Sequence, residues 1–213
     1  MVSSVYHAIG ASRQIFIQAP TGVGKTMSTI FPAVRAVGEG KGETIFYLTA
    51  KTITRTVAQE AFEVLREKGM KYKVVTITAK EKLCFMDETK CDPVHCPYAR
   101  GHFDRVNDAV YELWTTKSRY DRETIREQAE KWQVCPFEMC LDLSVWVDAV
   151  ICDYNYVFDP TVHLKRFFGE GAGGDYIFLI DEAHNLAERG REMYSASICR
   201  EDAVRVRKVM KER

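Results

Sequence analysis

The segment APTGVGKT at residues 19–26 constrains the fold more than any other part of the sequence. It matches the pattern G-x-x-x-x-G-K-[ST], except that Ala19 stands in the first position, where glycine is commoner. An apolar run, QIFIQA (14–19), precedes the segment, and the helical pattern MSTIFPAVRAV follows it. We therefore expect a buried strand, a phosphate-binding loop and a helix, in that order.

The chemistry of this loop predicts a nucleotide site. Glycines let backbone N–H groups turn towards a polyphosphate, and the N-terminus of the following helix adds a favourable dipole. A lysine here reaches the β- and γ-phosphates, and the next hydroxyl binds Mg²⁺. The alternative is a glycine-rich turn that carries Gly-Lys-Thr by chance. We predict ATP and Mg²⁺ as ligands, with the nucleotide bound by Thr21, Gly22, Val23, Gly24, Lys25 and Thr26.

Strand and helix patterns alternate on both sides of a long middle segment. Four further apolar runs read as strands, at residues 43–50, 72–79, 148–154 and 175–184. Helical patterns between them predict an α/β fold with a parallel sheet flanked by helices. From about residue 81 to 145 there is no convincing strand but there are two polar helical patterns. We interpret 81–145 as a mostly helical insertion between two strands of one sheet.

The insertion is rich in cysteine, with the spacing Cys84-x6-Cys91-x4-Cys96-x38-Cys135. Four thiolates can close a tetrahedral zinc site or hold a [4Fe–4S] cluster, and spacing alone does not choose between them. The seven cysteines come without a readable export signal, which favours a reducing compartment and a cytoplasmic location. No apolar run approaches the roughly 18 to 20 residues of a membrane span.

The last predicted strand ends in the pair Asp181-Glu182. A carboxylate at that place can hold Mg²⁺, and its neighbour can orient and deprotonate the attacking water. A solvated strand end is the alternative, but the phosphate loop upstream favours catalysis. We therefore predict catalytic roles for Lys25, Asp181 and Glu182, with Thr26 and Asp181 as the Mg²⁺ ligands. Net charge is zero, so a nucleic-acid partner would be held by local patches.

The motifs APTGVGKT and DEAH (181–184) together resemble the first motor domain of a superfamily 2 helicase. The cysteine-rich insertion, followed by CPF and by ICDYNYVFDP, is similar to the XPD/DinG-like iron–sulfur DNA helicases, bacterial XPD-like members above all. This resemblance implies a RecA-like sheet and a coupling role for His184. It also implies a [4Fe–4S] cluster held by Cys84, Cys91, Cys96 and Cys135, with Cys140 as the competitor for the fourth position.

The resemblance also implies contacts with single-stranded or forked DNA. The segment YLTAKTITR (47–55) corresponds to a loop that grips the DNA backbone, although it also reads as an ordinary helix start. Arg100, His102 and Arg105 could bind phosphates or form a solvated surface. The implied DNA-binding residues are Thr49, Lys51, Thr52, Arg55, Asn155 and Tyr156. The Tyr156 ring could stack on bases or could equally belong to the core.

Taken together, the resemblance implies the N-terminal portion of an ATP-dependent 5′→3′ DNA helicase. We expect residues 1–80 and 146–190 to form one motor domain, 81–145 the cluster insertion and 191–213 the start of an arch-like insertion. The second motor domain of the family is expected to be missing, so the fragment alone should be weakly active or inactive. The alternatives are a non-catalytic, metal-stapled nucleotide- or DNA-binding remnant and a different P-loop ATPase with structural zinc.

Overall fold

A computed structural model describes residues 1–20 and 22–211, and the side chains of all of these except Thr52, Ala203 and Lys211. Within this part of the chain, five strands form one sheet in the order β3-β2-β4-β1-β5. Every pairing in the sheet is parallel. The strands are β1 (Thr44–Leu48), β2 (Val74–Thr76), β3 (Arg119–Tyr120), β4 (Ala149–Cys152) and β5 (Tyr176–Ile180). The predicted parallel α/β fold is confirmed.

The helices connect these strands and flank the sheet. The longer ones are α1 (Val2–Gly10), α2 (Lys25–Gly38), α3 (Thr52–Glu67), α5 (His102–Thr116), α6 (Arg122–Trp132), α7 (Pro136–Ser144), α10 (Leu186–Met193) and α11 (Arg200–Lys211). The short ones are α4 (Lys80–Leu83), α8 (Asn155–Phe158), α9 (Lys165–Phe168) and a 3₁₀ turn (Ala183–Asn185). Among the described residues, none of these helices is both long enough and apolar enough to cross a membrane.

Helices pack on both faces of the sheet. Successive side chains of a strand point to opposite sides, so side chains of one strand are buried on each face. In β1, Ile45 and Tyr47 pack with α2 and α3, whereas Phe46 and Leu48 belong to the core on the other side. An all-parallel sheet requires this double cover. The near-continuous apolar sequence of β1 follows from that burial.

The cysteine-containing segment packs on the Phe46 face of the sheet. Leu113 of α5, Ile125 of α6 and Met139 of α7 lie in the same core cluster as Phe46 and Leu48. The two predicted helices are present as α5 and α6. The prediction that this segment lacks strands is wrong in one detail, because its residues 119–120 pair with β2 as the outermost strand β3.

The strand predicted at residues 14–19 does not form. These residues have no regular structure, and Phe16 is 88% exposed. A strand is held by hydrogen bonds to a neighbour and by burial of at least one face, and this segment has neither in the structure. The apolar sequence predicts a strand here, but within the described chain no neighbouring strand pairs with these residues.

Candidate nucleotide site and DNA-facing edge

The carboxyl ends of β1, β4 and β5 meet at one edge of the sheet. The pairing places Leu48 beside Cys152 and beside Ile180, so the next residues of all three strands are neighbours. Ligands of open parallel sheets bind outside this edge. The predicted site residues that follow β1, β4 and β5 are brought together there, although long stretches of sequence separate them.

The phosphate loop leads directly into α2. Gly22 and Gly24 both have positive φ angles, of 85° and 74°, a conformation that favours glycine. Helix α2 begins at Lys25, and no side chain caps its first turn. Its N–H groups therefore face outward at a helix N-terminus, as anion binding requires. Val23 lies exposed between the glycines, and Thr21 lies outside the described residues.

Lys25 and Glu182 meet at this edge. The Lys25 Nζ lies 3.7 Å from Glu182 Oε1, and each side chain is about one-third exposed. The phosphate loop and the DEAH segment therefore lie side by side at this edge, and the shared site that their motifs predict stays a prediction. The ammonium and the carboxylate are both accessible to a ligand, and both are charged groups suited to phosphate and water chemistry.

Tyr47 lies near the two predicted Mg²⁺ ligands, Thr26 and Asp181. Burial and the nearby Asp181 charge raise the pKa of Tyr47 above its ordinary range, so the phenol stays neutral. Sequence reasoning missed this tyrosine because it reads as an ordinary core residue of a buried strand.

The backbone around Glu182 is held in an unusual conformation. Glu182 has a φ of 51°, which is uncommon for a residue with a side chain. Tyr154 donates hydrogen bonds to the carbonyl oxygens of Asp181 and Glu182, and the Asn185 N–H donates to the same Glu182 carbonyl at 3.0 Å. Such conformations persist where the surrounding structure determines them, and they are common at functional sites.

His184 lies on the outer side of the site. Its ring is 73% exposed, and its Nδ1 lies 3.6 Å from Glu182 Oε2. The predicted coupling histidine is therefore adjacent to the predicted catalytic base. Its exposure leaves it able to contact a neighbouring element, and the coupling role itself stays a prediction.

The four predicted cluster ligands lie in different environments. Cys96 is buried, Cys84 and Cys135 are half-buried, and Cys91 is exposed. Lys80 of α4 lies near the Cys91 sulfur and near Cys135, and the N–H of Cys84 bonds back to the Lys80 carbonyl at 2.8 Å. Three of the four cysteines therefore lie around α4. Within residues 1–20 and 22–211, however, no three His, Cys, Asp or Glu side chains are close enough together to hold a metal ion.

Cys135 and Cys140 differ in a way that bears on the fourth ligand. Cys135 precedes Pro136 and is the N-cap residue of α7, so its sulfur lies near the N–H groups of Phe137 and Glu138. Those N–H groups favour the thiolate, although burial still raises the pKa of Cys135. Cys140 is completely buried in the core, which raises its pKa to about 12. Metal binding requires a thiolate, so the surroundings favour Cys135 over Cys140.

The predicted DNA-binding residues of the first loop are divided between surface and interior. Lys51 is exposed, but Thr49 is buried and its hydroxyl bonds that of Thr54. Arg55 lies in the first turn of α3 with Nη2 3.7 Å from Asp153 Oδ2. The side chain of Thr52 lies outside the described residues.

The second predicted DNA-binding pair lies after β4. Asn155 is half-buried, and its side-chain oxygen accepts a hydrogen bond from Arg189 at 2.8 Å. The Tyr156 ring packs in the core and is only 8% exposed. A stacking contact between DNA and Tyr156 would require the ring to leave the core, so its placement gives that contact no support.

The basic residues of the segment ARGHFDR are used internally. Arg105 donates to the carbonyl oxygens of Arg100, Trp132 and Gln133, while Arg100 donates to that of Pro93. His102 is buried, and its Nδ1 accepts the N–H of Cys135 at 3.2 Å. These contacts hold the insertion together and favour a structural role over phosphate binding.

Asp153 and Arg189 were not identified from the sequence. Arg189 Nη2 lies 3.2 Å from Asp153 Oδ1, on the same carboxylate that Arg55 approaches. One signal was available, because Asp153 follows β4 directly as Asp181 follows β5. An arginine in a charged helix gives no comparable signal.

Two family models match the chain. The DEAD_2 model matches residues 67–203, more than half of the sequence, and the DEAD/DEAH box helicase model matches residues 3–98. Among curated relatives, the Fanconi anemia group J protein homolog of Gallus gallus is 31% identical over 104 residues, 48% of this chain and 8% of the relative. An ATP-dependent helicase of Methanocaldococcus jannaschii, named as probable, is 22% identical over 189 residues, 87% of this chain and 27% of the relative.

Solved structures share the fold. A structure described as an XPD helicase superposes with a TM-score of 0.60 at 17% identity, covering 88% of this chain and 32% of the other. One described as a truncated XPD also gives 0.60, at 18% identity, covering 91% of this chain and 54% of the other. The chain thus spans about a quarter or less of the curated relatives it matches. It belongs to the DEAD_2 family, and its fold is similar to that of the XPD structures.

Proposed function

We propose that this chain forms the ATP-binding portion of an ATP-dependent DNA helicase that moves 5′→3′ on single-stranded DNA. The observation that carries the proposal is the 3.7 Å approach of Lys25 Nζ to Glu182 Oε1 at the carboxyl edge of the sheet. Membership of the DEAD_2 family supports the helicase class. The polarity comes from the resemblance to XPD/DinG-like helicases.

In this proposal, the loop N–H groups and Lys25 bind the β- and γ-phosphates of ATP. Glu182 orients a water molecule and accepts its proton as the water oxygen bonds to the γ-phosphorus, while the bond to the β,γ-bridging oxygen breaks. Thr26 and Asp181 would hold Mg²⁺, which neutralises phosphate charge when bound. His184 would report the state of the site to a neighbouring domain or to DNA.

The DNA-facing surface of the proposal is the sheet edge beside the nucleotide site. Lys51 offers an exposed cation near the N-terminus of α3, and helix N-termini favour phosphate. Arg55 and Asn155 lie close behind this surface, and Thr52 remains a proposed contact. We place Thr49 and Tyr156 in the supporting interior because both are buried.

We also propose that Cys84, Cys91, Cys96 and Cys135 hold a [4Fe–4S] cluster. Support comes from the donor chemistry, from the three cysteines around Lys80 and from the helix N–H groups at Cys135. Between Leu83 and His102 the described chain contains neither helix nor strand. An inorganic cluster would staple that irregular segment to α7 and to the rest of the insertion.

The proposed division of the chain follows from these roles. Residues 1–80 and 146–190 form the motor domain, 81–145 the cluster insertion, and 191–213 the start of an arch-like insertion. A second motor domain would belong to the remaining length of the much longer relatives. The resemblance implies that this second motor domain supplies an arginine finger, a group that contributes roughly 10³ to 10⁵ in rate. Residues 1–213 alone should therefore bind nucleotide and hydrolyse it slowly.

A titration with a fluorescent ATP analogue and Mg²⁺ tests the nucleotide site. The unaltered chain should bind, and Lys25→Ala should weaken binding at least about tenfold, because a charge-assisted phosphate contact is lost. Lys68→Ala removes an exposed lysine beyond the C-terminus of α3 and should leave binding unchanged. Failure of the unaltered chain to bind, or equal loss in both variants, would contradict the proposal. Fast DNA-stimulated turnover by these residues would contradict the need for a second domain.

A further inference from the structure

The Asp153 carboxylate lies between two arginines from different parts of the chain. Its Oδ2 lies 3.7 Å from Nη2 of Arg55, in the first turn of α3, and its Oδ1 lies 3.2 Å from Nη2 of Arg189, in α10. Asn155 completes the group, because its N–H donates to Asp153 Oδ1 at 3.1 Å and its Oδ1 accepts from Arg189 at 2.8 Å. We call these four residues the Asp153 network.

The network is largely removed from solvent. The side chains of Arg55 and Asp153 are each 18% exposed, and that of Arg189 is 31% exposed. Nε of Arg55 and Nε of Arg189 are buried, and neither has a hydrogen-bond partner within the described chain. Asp153 is the carboxylate that the two guanidinium groups share, and Arg189 also pairs with the exposed Glu192 at 3.1 Å. Removing the Asp153 charge would take away the anion between two poorly solvated cations, which is costlier than breaking an exposed ion pair.

The two arginines connect Asp153 to the two proposed functional parts of the sheet edge, the DNA-facing turn and the nucleotide site. Arg55 is four residues beyond Lys51, and its N–H bonds the Lys51 carbonyl at 3.2 Å, so it is fixed to the proposed DNA-facing turn. Arg189 lies in α10, which follows Glu182 after a single 3₁₀ turn. The Asn185 side chain in that turn donates to the Glu182 carbonyl at 3.1 Å. A shift of Glu182 would therefore be transmitted to α10.

We propose that Asp153 is a positioning residue that couples the nucleotide site to the DNA-facing turn. In this proposal, nucleotide binding shifts the segment after Glu182, and α10 moves with it. Arg189 then moves relative to Arg55, because both arginines are paired with the Asp153 carboxylate. Asp153 itself touches neither ligand. This inference rests on the proposed function, because it needs a chain that binds both nucleotide and single-stranded DNA.

The test measures whether one ligand changes the affinity of the other. Binding of a fluorescein-labelled oligothymidylate is followed by anisotropy, with and without a saturating non-hydrolysable ATP analogue and Mg²⁺. Coupling between two sites is typically about 5- to 150-fold in affinity, and it is reciprocal. We expect the unaltered chain to show a coupling factor in this range. In Asp153→Asn the coupling factor should fall to between about 1 and 2. The variant should bind either ligand alone with an affinity within about threefold of normal.

A matched control is Asp142→Asn, which also removes an aspartate paired with an arginine, at 2.6 Å from Arg166 on the surface of the insertion. The control should keep the full coupling factor. Arg189→Lys provides a second variant if Asp153→Asn fails to fold, since lysine keeps the charge but cannot span Asp153 and Asn155 together. It should lower coupling in the same way.

The outcomes separate this inference from the proposed function. If the unaltered chain binds neither ligand, the proposed function fails and the inference fails with it. If it binds both and the coupling survives Asp153→Asn or Arg189→Lys in a folded protein, the inference alone is overturned. Binding of both ligands without any coupling in the unaltered chain overturns it as well.

Discussion

Lys25 Nζ lies 3.7 Å from Glu182 Oε1, although the two residues stand near opposite ends of the chain. Parallel pairing of β1 with β5 explains the meeting, because it brings the end of β5 to the edge where α2 begins. The lysine faces the carboxylate that is proposed to act as base. In the proposed complex, the lysine would bind the nucleotide phosphates, and Glu182 would then be able to bind a water molecule.

Glu182→Gln should separate binding from hydrolysis. Glutamine keeps the size of the side chain but cannot accept a proton, so we expect nucleotide affinity within about threefold and a loss of about 10²- to 10⁴-fold in hydrolysis. Single-turnover release of phosphate from excess protein measures the slow reaction expected here. Hydrolysis at the normal rate in this variant would remove Glu182 from the mechanism. Glu188→Gln, an acidic residue in the first turn of α10, serves as the control and should hydrolyse normally.

Tyr47→Phe tests the buried phenol near Thr26 and Asp181. Loss of the polar contacts of a buried hydroxyl should lower the free energy of unfolding by about 1 kcal/mol. Because the two side chains are the proposed Mg²⁺ ligands, the variant should also need a higher Mg²⁺ concentration for nucleotide binding. A denaturant titration and a Mg²⁺ titration give the two readouts. Lower stability with an unchanged Mg²⁺ requirement would mean that Tyr47 only packs.

Cys135→Ser and Cys140→Ser should fail in different ways. Cys135→Ser should lower the iron and acid-labile sulfide of anaerobically purified protein, since serine is a poor substitute for a thiolate ligand. Cys140→Ser should keep iron but lose stability, because it places a hydroxyl in a fully buried position. Metal analysis and thermal unfolding distinguish the two. Stoichiometric zinc with no iron in the unaltered protein would contradict the cluster and support the zinc alternative.

Phe46→Ala and Phe16→Ala form a matched pair for the sheet. Phe46 is fully buried among aromatic rings of β5 and α9, so its truncation should cost about 3–5 kcal/mol of unfolding free energy. Phe16 is 88% exposed, and its truncation should change stability by less than about 0.5 kcal/mol. Urea unfolding of the purified chain checks both values. A large loss for Phe16→Ala would mean that residues 14–19 pair as a strand in solution.

The sequence by itself determined the parallel α/β class and the two motifs of the proposed nucleotide site. Periodicity and composition are local properties, so β1, β4 and β5 could be read directly, and so could α5 and α6. The pattern G-K-T after glycines and the acidic pair after a buried strand carry their chemistry in adjacent residues. Their meeting at one edge follows from the parallel topology that the alternation predicted.

Only the tertiary structure decided which side chains are accessible to a ligand and which are buried. Thr49 and Tyr156 both follow strands, and the resemblance implied DNA contacts for both, with a core position left open for Tyr156. Both are buried because neighbouring elements cover them. Residues 14–19 have the composition of a strand but no partner in the described chain. The Asp153 network joins residues from three separate segments, and no local pattern can indicate such a contact. Pairing, burial and the sharing of one carboxylate by two arginines depend on distances between remote residues, which sequence periodicity does not contain.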